Sequence, residues 1–504
     1  MNIKQGLLIG CCLLSALYLK GQDKVTEAYK EPFRPQVHFS PAKKWMNDPN
    51  GMVFYKGVYH LFFQYYPNGT KWGPMHWGHA ESSDMIHWRQ MPVALYPDSL
   101  GYIFSGSAVV DEHNTSGFGK NGQVPLVAIF CQHDPKGEKA GKDNFQTESI
   151  AYSLDEGKTW TKYPGNPVLK NPGIRDFRDP KVMWYAPENK WVMTLATKDR
   201  ITFFSSPNLK DWNKESEFGK DKGGHGGVWE CPDLFPLQLD GKTYWVLLVS
   251  VNPGGPNGGS GTQYFIGDFD GKTFTAINTE TKWIDYGPDD YAGVTWSNTG
   301  KRKIFLGWMS NWIYAAQVPT EKWRNAMTVP RELSLKQING VIFLSSKPVM
   351  ELRHIALKSV STATAKDTAL MPVFSSLPDQ YILKFNTDKI NDYSIILSND
   401  VGEKLVIGYD KSKNKYYIDR TKSGKIDFNP EFAGIFFAPR LSSAQASNLE
   451  LIVDASSIEL FADNGLSVIS SIFFPNKPYN HLRFQNNKVM TIKNKEVFPL
   501  KSIW

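Results

Sequence analysis

The sequence predicts an all-β protein: a five-bladed β-propeller followed by a C-terminal β-sandwich. Three observations carry this. The chain has 504 residues, of which 13% are aromatic, with 41 Gly and 31 Pro, a composition of strands and turns. One motif recurs along the first two thirds: a strand-like run, a short loop, Ser or Asp, a turn, then an aromatic. Beyond about residue 350 Trp all but vanishes until Trp504, and short alternating apolar runs separated by turn residues replace the motif. No long helical pattern appears anywhere.

Residues 1–22 read as an export signal: Lys4 gives a positive start and Leu7 to Leu19 a mostly apolar core. That core is too short to be a membrane span. Cleavage near Gly21 to Asp23 is the favoured reading. Leu8-Ile9-Gly10-Cys11 resembles a lipobox, which makes anchoring at Cys11 the secondary one.

The propeller is expected over residues 30–348. Its repeat begins with His60 to Tyr66 followed by Ser83 to Trp88, then Leu126 to Gln132 followed by Ser153 to Trp160. The third unit is Trp191 to Ala196 with Ser206 to Trp212, and the fourth is Tyr244 to Val249 with Asp268 to Phe274. Lys303 to Trp308 opens a fifth, which closes through Arg331 to Leu335. A period of roughly 50 to 70 residues suits propeller blades, which are four-stranded sheets around a channel. Each unit is expected to open with a strand: Asn50 to Tyr55, Phe104 to Val110, Asp179 to Tyr185, Asp233 to Leu239 and Tyr291 to Ser297. The sandwich is expected over 355–504, from runs such as Tyr381 to Phe385, Tyr393 to Leu397, Leu449 to Asp454 and Ser457 to Phe461.

The net charge of +7 comes from scattered Lys and Arg with no basic block, so nothing points to a nucleic-acid partner. Outside the leader only Cys131 and Cys231 remain, with no metal spacing and no disulfide framework. No cofactor or metal motif is visible, and oligomeric state is not readable.

Three carboxylates stand on turn-like sequences near the expected blade openings: Asp48 in Asn47-Asp48-Pro49-Asn50-Gly51, Asp179 in Arg178-Asp179-Pro180, and Glu230 before Cys231-Pro232. Each alone is ordinary turn or strand punctuation. If the opening strands are innermost, however, all three meet at one end of the channel. Paired carboxyls about 5 to 5.5 Å apart are what a retaining glycosidase uses to break an acetal. Asp48, short and flanked by amides that favour its ionised form, suits the nucleophile. Glu230, among Val228, Trp229, Cys231 and Pro232, suits the acid/base, a role that requires a protonated group. Asp179 beside Arg178 is expected to stay charged and to accept sugar hydroxyls.

Trp45 to Gly51, Phe104 to Ser107, Phe177 to Pro180 and Trp229 to Phe235 resemble the signature blocks of glycoside hydrolase family 32, the β-fructosidases, and Val453 to Phe461 resembles that family's C-terminal sandwich. The likeness is strongest to bacterial levanases and exo-inulinases. It implies a propeller plus sandwich, Asp48 as nucleophile, Glu230 as acid/base and Asp179 as transition-state stabiliser. It also implies a fructose pocket of Asn47, Gln64, Trp72, Phe104, Ser105, Arg178 and Trp312, with Cys231 tuning the acid. The bland readings are a core amide for Gln64, packing for Trp72 and Trp312, and a structural ion pair for Arg178 and Asp179.

The function expected is exo-acting hydrolysis of terminal β-fructofuranosyl residues in levan, inulin and sucrose, by an exported enzyme. Endo-levanase, sucrose-specific invertase and fructosyltransferase are alternatives on the same fold. A non-catalytic fructan-binding or sensor protein and an inverting five-bladed glycosidase are alternatives of other classes.

Overall fold

A computed structural model describes residues 29–277, 280–361, 371–374, 377–486 and 490–504. The expected leader, with Cys11, lies outside the described residues.

Five antiparallel sheets form the first part. Their opening strands are Lys44–Tyr55, Tyr102–Val110, Phe177–Tyr185, Val228–Leu239 and Tyr291–Thr295. These five strands contact one another in cyclic order, and the fifth returns to the first, so they are innermost around a closed ring. The apolar runs of the repeat are the second strands. Leu126–His133 is buried at every position because neighbouring blades cover both its faces. The Ser/Asp-turn-aromatic motif is the hairpin that leads to each outer strand. Asp84 Oδ1 accepts from the backbone N–H groups of Ile86 and His87, Asn208 Oδ1 from Lys210 and Asp211, and Asp270 Oδ1 from Lys272 and Thr273. These local bonds close the turn, and the aromatic then packs against the blade.

Ring closure is helped by a short strand, Trp323–Arg324, which leaves the fifth sheet and pairs in parallel with Lys44 and Trp45 of the first. The spaces between blades are filled by large side chains. Trp77, Trp229 and Trp296 are fully buried there, each contributing on the order of 3 kcal/mol in burial.

Four of the five opening strands begin earlier than the sequence suggests, and the fifth begins at Tyr291 as expected, so Asp48 and Glu230 lie within strands and not just before them, and Asp179 is the third residue of its strand. Each opening strand carries a register shift near its start: Met46 to Pro49, Ile103 to Gly106, the stretch opposite Thr194 and Ala196, Glu230 to Asp233, and Tyr291 to Val294. These are β-bulges, in which extra residues are left unpaired and side chains are re-aimed. Asp179, Cys231 and Ala292 take the positive φ of bulged residues, at 64°, 45° and 54°.

After the last propeller strand, Val341–Pro348, and a 3-10 turn, Met350–Ile355, two six-stranded sheets pack as a sandwich. Its core includes Leu383, Ile395, Ile407, Ile418, Leu451 and Leu460. The junction with the propeller is ionic. Arg331 is fully buried and reaches Asp285 and Asp290 at 2.9 Å, Ser470 at 2.7 Å and, through Nε, Glu459 at 3.0 Å. His38 bridges Asp454 and Glu459 at 2.8 Å on each side. Burial opposes charge on His38, but the two carboxylates hold its pKa up at about 9. No helix among the described residues is long and apolar enough to cross a membrane.

Candidate active site

The bulges aim Asn47 and Asp48, Phe104 and Ser105, Arg178 and Asp179, and Glu230 into one end of the channel. They line a cavity of about 370 Å³, and Gln64, Trp72 and Trp312 line it too. All ten site residues expected from sequence therefore meet. Further along the opening strands Lys181 and Asp233 pair at 3.2 Å, and Thr295 N–H donates to Asp233 at 2.6 Å, which ties the third, fourth and fifth opening strands together through buried groups.

Asp48 sits in a relay of donors. Trp45 Nε1–H donates to Asn47 Oδ1 at 2.8 Å, Asn47 Nδ2–H to Asp48 Oδ1 at 2.9 Å, and Ser105 Oγ–H to Asp48 Oδ2 at 2.7 Å. Burial and then the Glu230 charge push the Asp48 carboxyl up, while Asn47 and Ser105 pull it back. Asp179 Oδ2 accepts from the backbone N–H of Cys231 at 3.0 Å. The Cys231 thiol, kept neutral by burial, lies 3.6 Å from Asp179 Oδ2 and 3.8 Å from Asp48 Oδ2. The thiol thus contacts the other two acids, although Cys231 follows Glu230 in the chain.

One bland reading and one expectation do not hold. Arg178 does not ion-pair with Asp179. Its Nε and Nη2 donate to Glu230 Oε1 at 3.1 and 2.9 Å, and its Nη1 donates to Asp176 at 2.7 Å. Asp179, expected to stay charged, has its pKa pushed up to about 7. Burial is the main cause; the Arg178 charge pulls it back, and the charges of Glu230 and Asp48 add to the rise. Tyr291 O–H donates to the other Glu230 oxygen, so both oxygens of Glu230 are held.

The pocket residues divide. Gln64 is buried, and its Nε2 has no partner among the described residues, which leaves a donor at the cavity in place of a satisfied core amide. Trp72 is 44% exposed and lies at right angles to Phe104, with ring centres 6.1 Å apart, so it lines the cavity without being buried in the core. Trp312 stacks on Trp45 at 6.0 Å and both packs and lines.

Sequence reasoning missed His133, Glu138, Phe145, Gln146 and Asp176, which also line the cavity. They belong to the second blade's rim and to the loop before Phe177, and no repeat partner marks them. Away from the cavity, His60, His79 and Glu81 gather on the first blade within 4.8 Å, where His60 Nδ1 and His79 Nε2 hydrogen-bond each other at 3.1 Å.

Carboxylates on separate blades, facing one cavity with aromatic and amide walls, define a propeller glycoside hydrolase. Comparison with known proteins supplies the family. Residues 38–346 match the glycosyl hydrolases family 32 N-terminal domain, and residues 349–499 match the glycosyl hydrolases family 32 C terminal. The chain belongs to glycosyl hydrolase family 32. It is 46% identical over 492 residues to a levanase of Bacillus subtilis (strain 168), covering 94% of this chain and 72% of that one. It is 42% identical to an extracellular exo-inulinase of Aspergillus ficuum, covering 90% and 92%. Among solved structures, the exo-inulinase of Aspergillus awamori superposes with a TM-score of 0.87 at 38% identity, covering 94% of this chain and 100% of that one. The β-fructofuranosidase of Schwanniomyces occidentalis complexed with fructosyl-erythritol gives 0.85 at 33% identity, covering 94% and 99%.

Proposed function

We propose that this exported enzyme removes terminal β-D-fructofuranosyl residues from levan, inulin and sucrose, acting from the chain end with retention of configuration. The observation that supports exo action is the small size of the cavity the three acids share, about 370 Å³. Such a volume lies at the small end of ligand pockets, roughly 300 to 1,000 Å³. The relatives named levanase and exo-inulinase support the substrate class.

In the first step Asp48 attacks the anomeric carbon while Glu230 gives its proton to the leaving oxygen, and the carbon–oxygen bond breaks. In the second, Glu230 takes a proton from water, the hydroxyl adds to the same carbon, and Asp48 is released. Asn47 and Ser105 orient and stabilise the ionised Asp48 through their 2.9 and 2.7 Å bonds. Asp179 accepts from fructosyl hydroxyls beside the carbon where positive charge develops. Gln64 offers its unpaired donor, and Trp72 offers an apolar face.

The test is the early product profile on levan. Fructose alone is expected, and oligosaccharides appearing first would make the action endo. Asp48→Ala and Glu230→Ala are each expected to lose nearly all hydrolysis while remaining folded, and turnover like the wild type's in either would refute the assignment.

A further inference from the structure

The acids divide the cavity. The fructosyl unit must lie against Asp48, with its donors Asn47 and Ser105. The leaving sugar must lie on the far side of Glu230, because Glu230 has to reach its oxygen. From Glu230 a polar chain runs through Arg178 to other residues that line the same cavity. Arg178 joins Glu230 to Asp176 at 2.7 Å and approaches Gln146 Oε1 at 3.5 Å. Gln146 Oε1 also accepts from Phe177 N–H at 2.9 Å, which fixes the amide so that its Nε2–H donates to His133 Nδ1 at 3.3 Å. With Nδ1 accepting, His133 carries its proton on Nε2, which lies 3.1 Å from Glu138 Oε2.

His133 is itself clamped. Its ring stacks on Phe104 at 4.4 Å and meets Phe145 edge-on at 5.2 Å. Burial pushes its pKa down, and the charge of Glu138 opposes this. Glu138 rides on the short helix Pro135–Lys139, capped by Asp134. Its side chain is 44% exposed at the cavity's edge, and its other oxygen lies 4.0 Å from Arg175.

We infer that Glu138, oriented by His133, is the specificity-determining acceptor for the leaving-group sugar. This rests on the proposed fructosidase reading. A sugar seated beyond Glu230 offers a fan of hydroxyl donors, and a carboxylate accepts such donors strongly. The Phe104–His133–Phe145 stack supplies the flat wall beside it. Glu138 Oε2 lies beside His133 and Oε1 toward Arg175, so the carboxylate is held at the cavity's edge between these two neighbours. A carboxylate placed there distinguishes linkages that present different hydroxyls to it.

The test compares two substrates that share the fructosyl unit and differ in what leaves: a fructan trisaccharide and methyl β-D-fructofuranoside, whose leaving methanol reaches no rim residue. Glu138→Ala is expected to lower kcat/KM about tenfold on the trisaccharide, mostly through KM, and to change it less than about twofold on the methyl glycoside. Glu138→Gln, which keeps one acceptor, is expected to fall between. The exposed site leaves the melting temperature unchanged in both. An equal fall on the two substrates, or no fall on either, overturns the subsite. Failure of the wild type to hydrolyse either substrate would instead remove the fructosidase reading beneath it.

Discussion

Replacing Ser105 with Ala removes one of the two side-chain oxygen or nitrogen donors that hold Asp48, the 2.7 Å bond to Oδ2, and leaves Asn47 on Oδ1. Asp48 must be ionised to attack, so the acid limb of the kcat/KM profile follows its ionisation. Burial and Glu230 already push this carboxyl up, with Ser105 among the groups opposing them. A hydrogen bond to a charged group contributes about 1.5 to 3 kcal/mol, and one pKa unit corresponds to about 1.4 kcal/mol. Taking the low end, because the cavity admits water, loss of Ser105 moves the acid limb up by about one pH unit. Activity then falls roughly tenfold below the limb and much less above it. The assay is initial-rate hydrolysis of sucrose across pH 3 to 8, with the fold checked by thermal melting. A uniform fall with an unmoved limb would mean that Asp48 does not govern the acid side, and the reasoning would fail.

Arg331→Met strands three buried carboxylates at the junction of propeller and sandwich. Breaking such a buried pair costs about 3 to 5 kcal/mol. With an unfolding entropy of roughly 2.1 cal/mol/K per residue over 504 residues, the melting temperature should drop by about 3 to 5 °C, and a drop under about 1 °C would contradict the clamp. His38 has its pKa raised from 6.5 to about 9 in the fold. The stability it contributes, about 3 kcal/mol, is therefore complete below pH 6.5 and is lost as pH rises through 9. Chemical denaturation at pH 6 and pH 9.5 should show that loss in the wild type and not in His38→Gln. Gly51 sits at φ +57, and a Cβ there would come within 2.6 Å of Trp77, so Gly51→Ala should weaken the first blade and lower the melting temperature.

The blade order and the convergence of the acids were legible because each blade repeats one hairpin motif, and equivalent positions in repeats meet at equivalent places. The bulges were not read as such. Asp48-Pro49, Asp179-Pro180 and Cys231-Pro232 look like turns, yet all three fall at register shifts within strands. Proline has no N–H to give a ladder, so within a strand it belongs at a bulge or an edge, and three of them beside the acids were the available signal. Partnerships across blades left no trace. That Arg178 turns to Glu230 and not to its neighbour Asp179 depends on where another strand brings an acid 52 positions away. The rim residue His133 ends the strand Leu126–His133 and Glu138 stands on the short helix that follows it, an insertion with no counterpart in the repeat motif, so no periodicity could reveal them. The buried Arg331 cluster joins residues more than 100 positions apart, which a linear pattern does not show.

The central claim is that Asp48 becomes covalently bonded to the fructosyl carbon. Glu230→Ala incubated with β-D-fructofuranosyl fluoride, whose leaving group needs no acid, isolates that step, because no base remains to activate water for the second. Intact mass spectrometry with peptide mapping should find one fructosyl unit per chain, on the peptide carrying Asp48, and none in the Asp48→Ala, Glu230→Ala double variant. An unmodified chain that still releases fructose, or an adduct on another residue, would contradict the account.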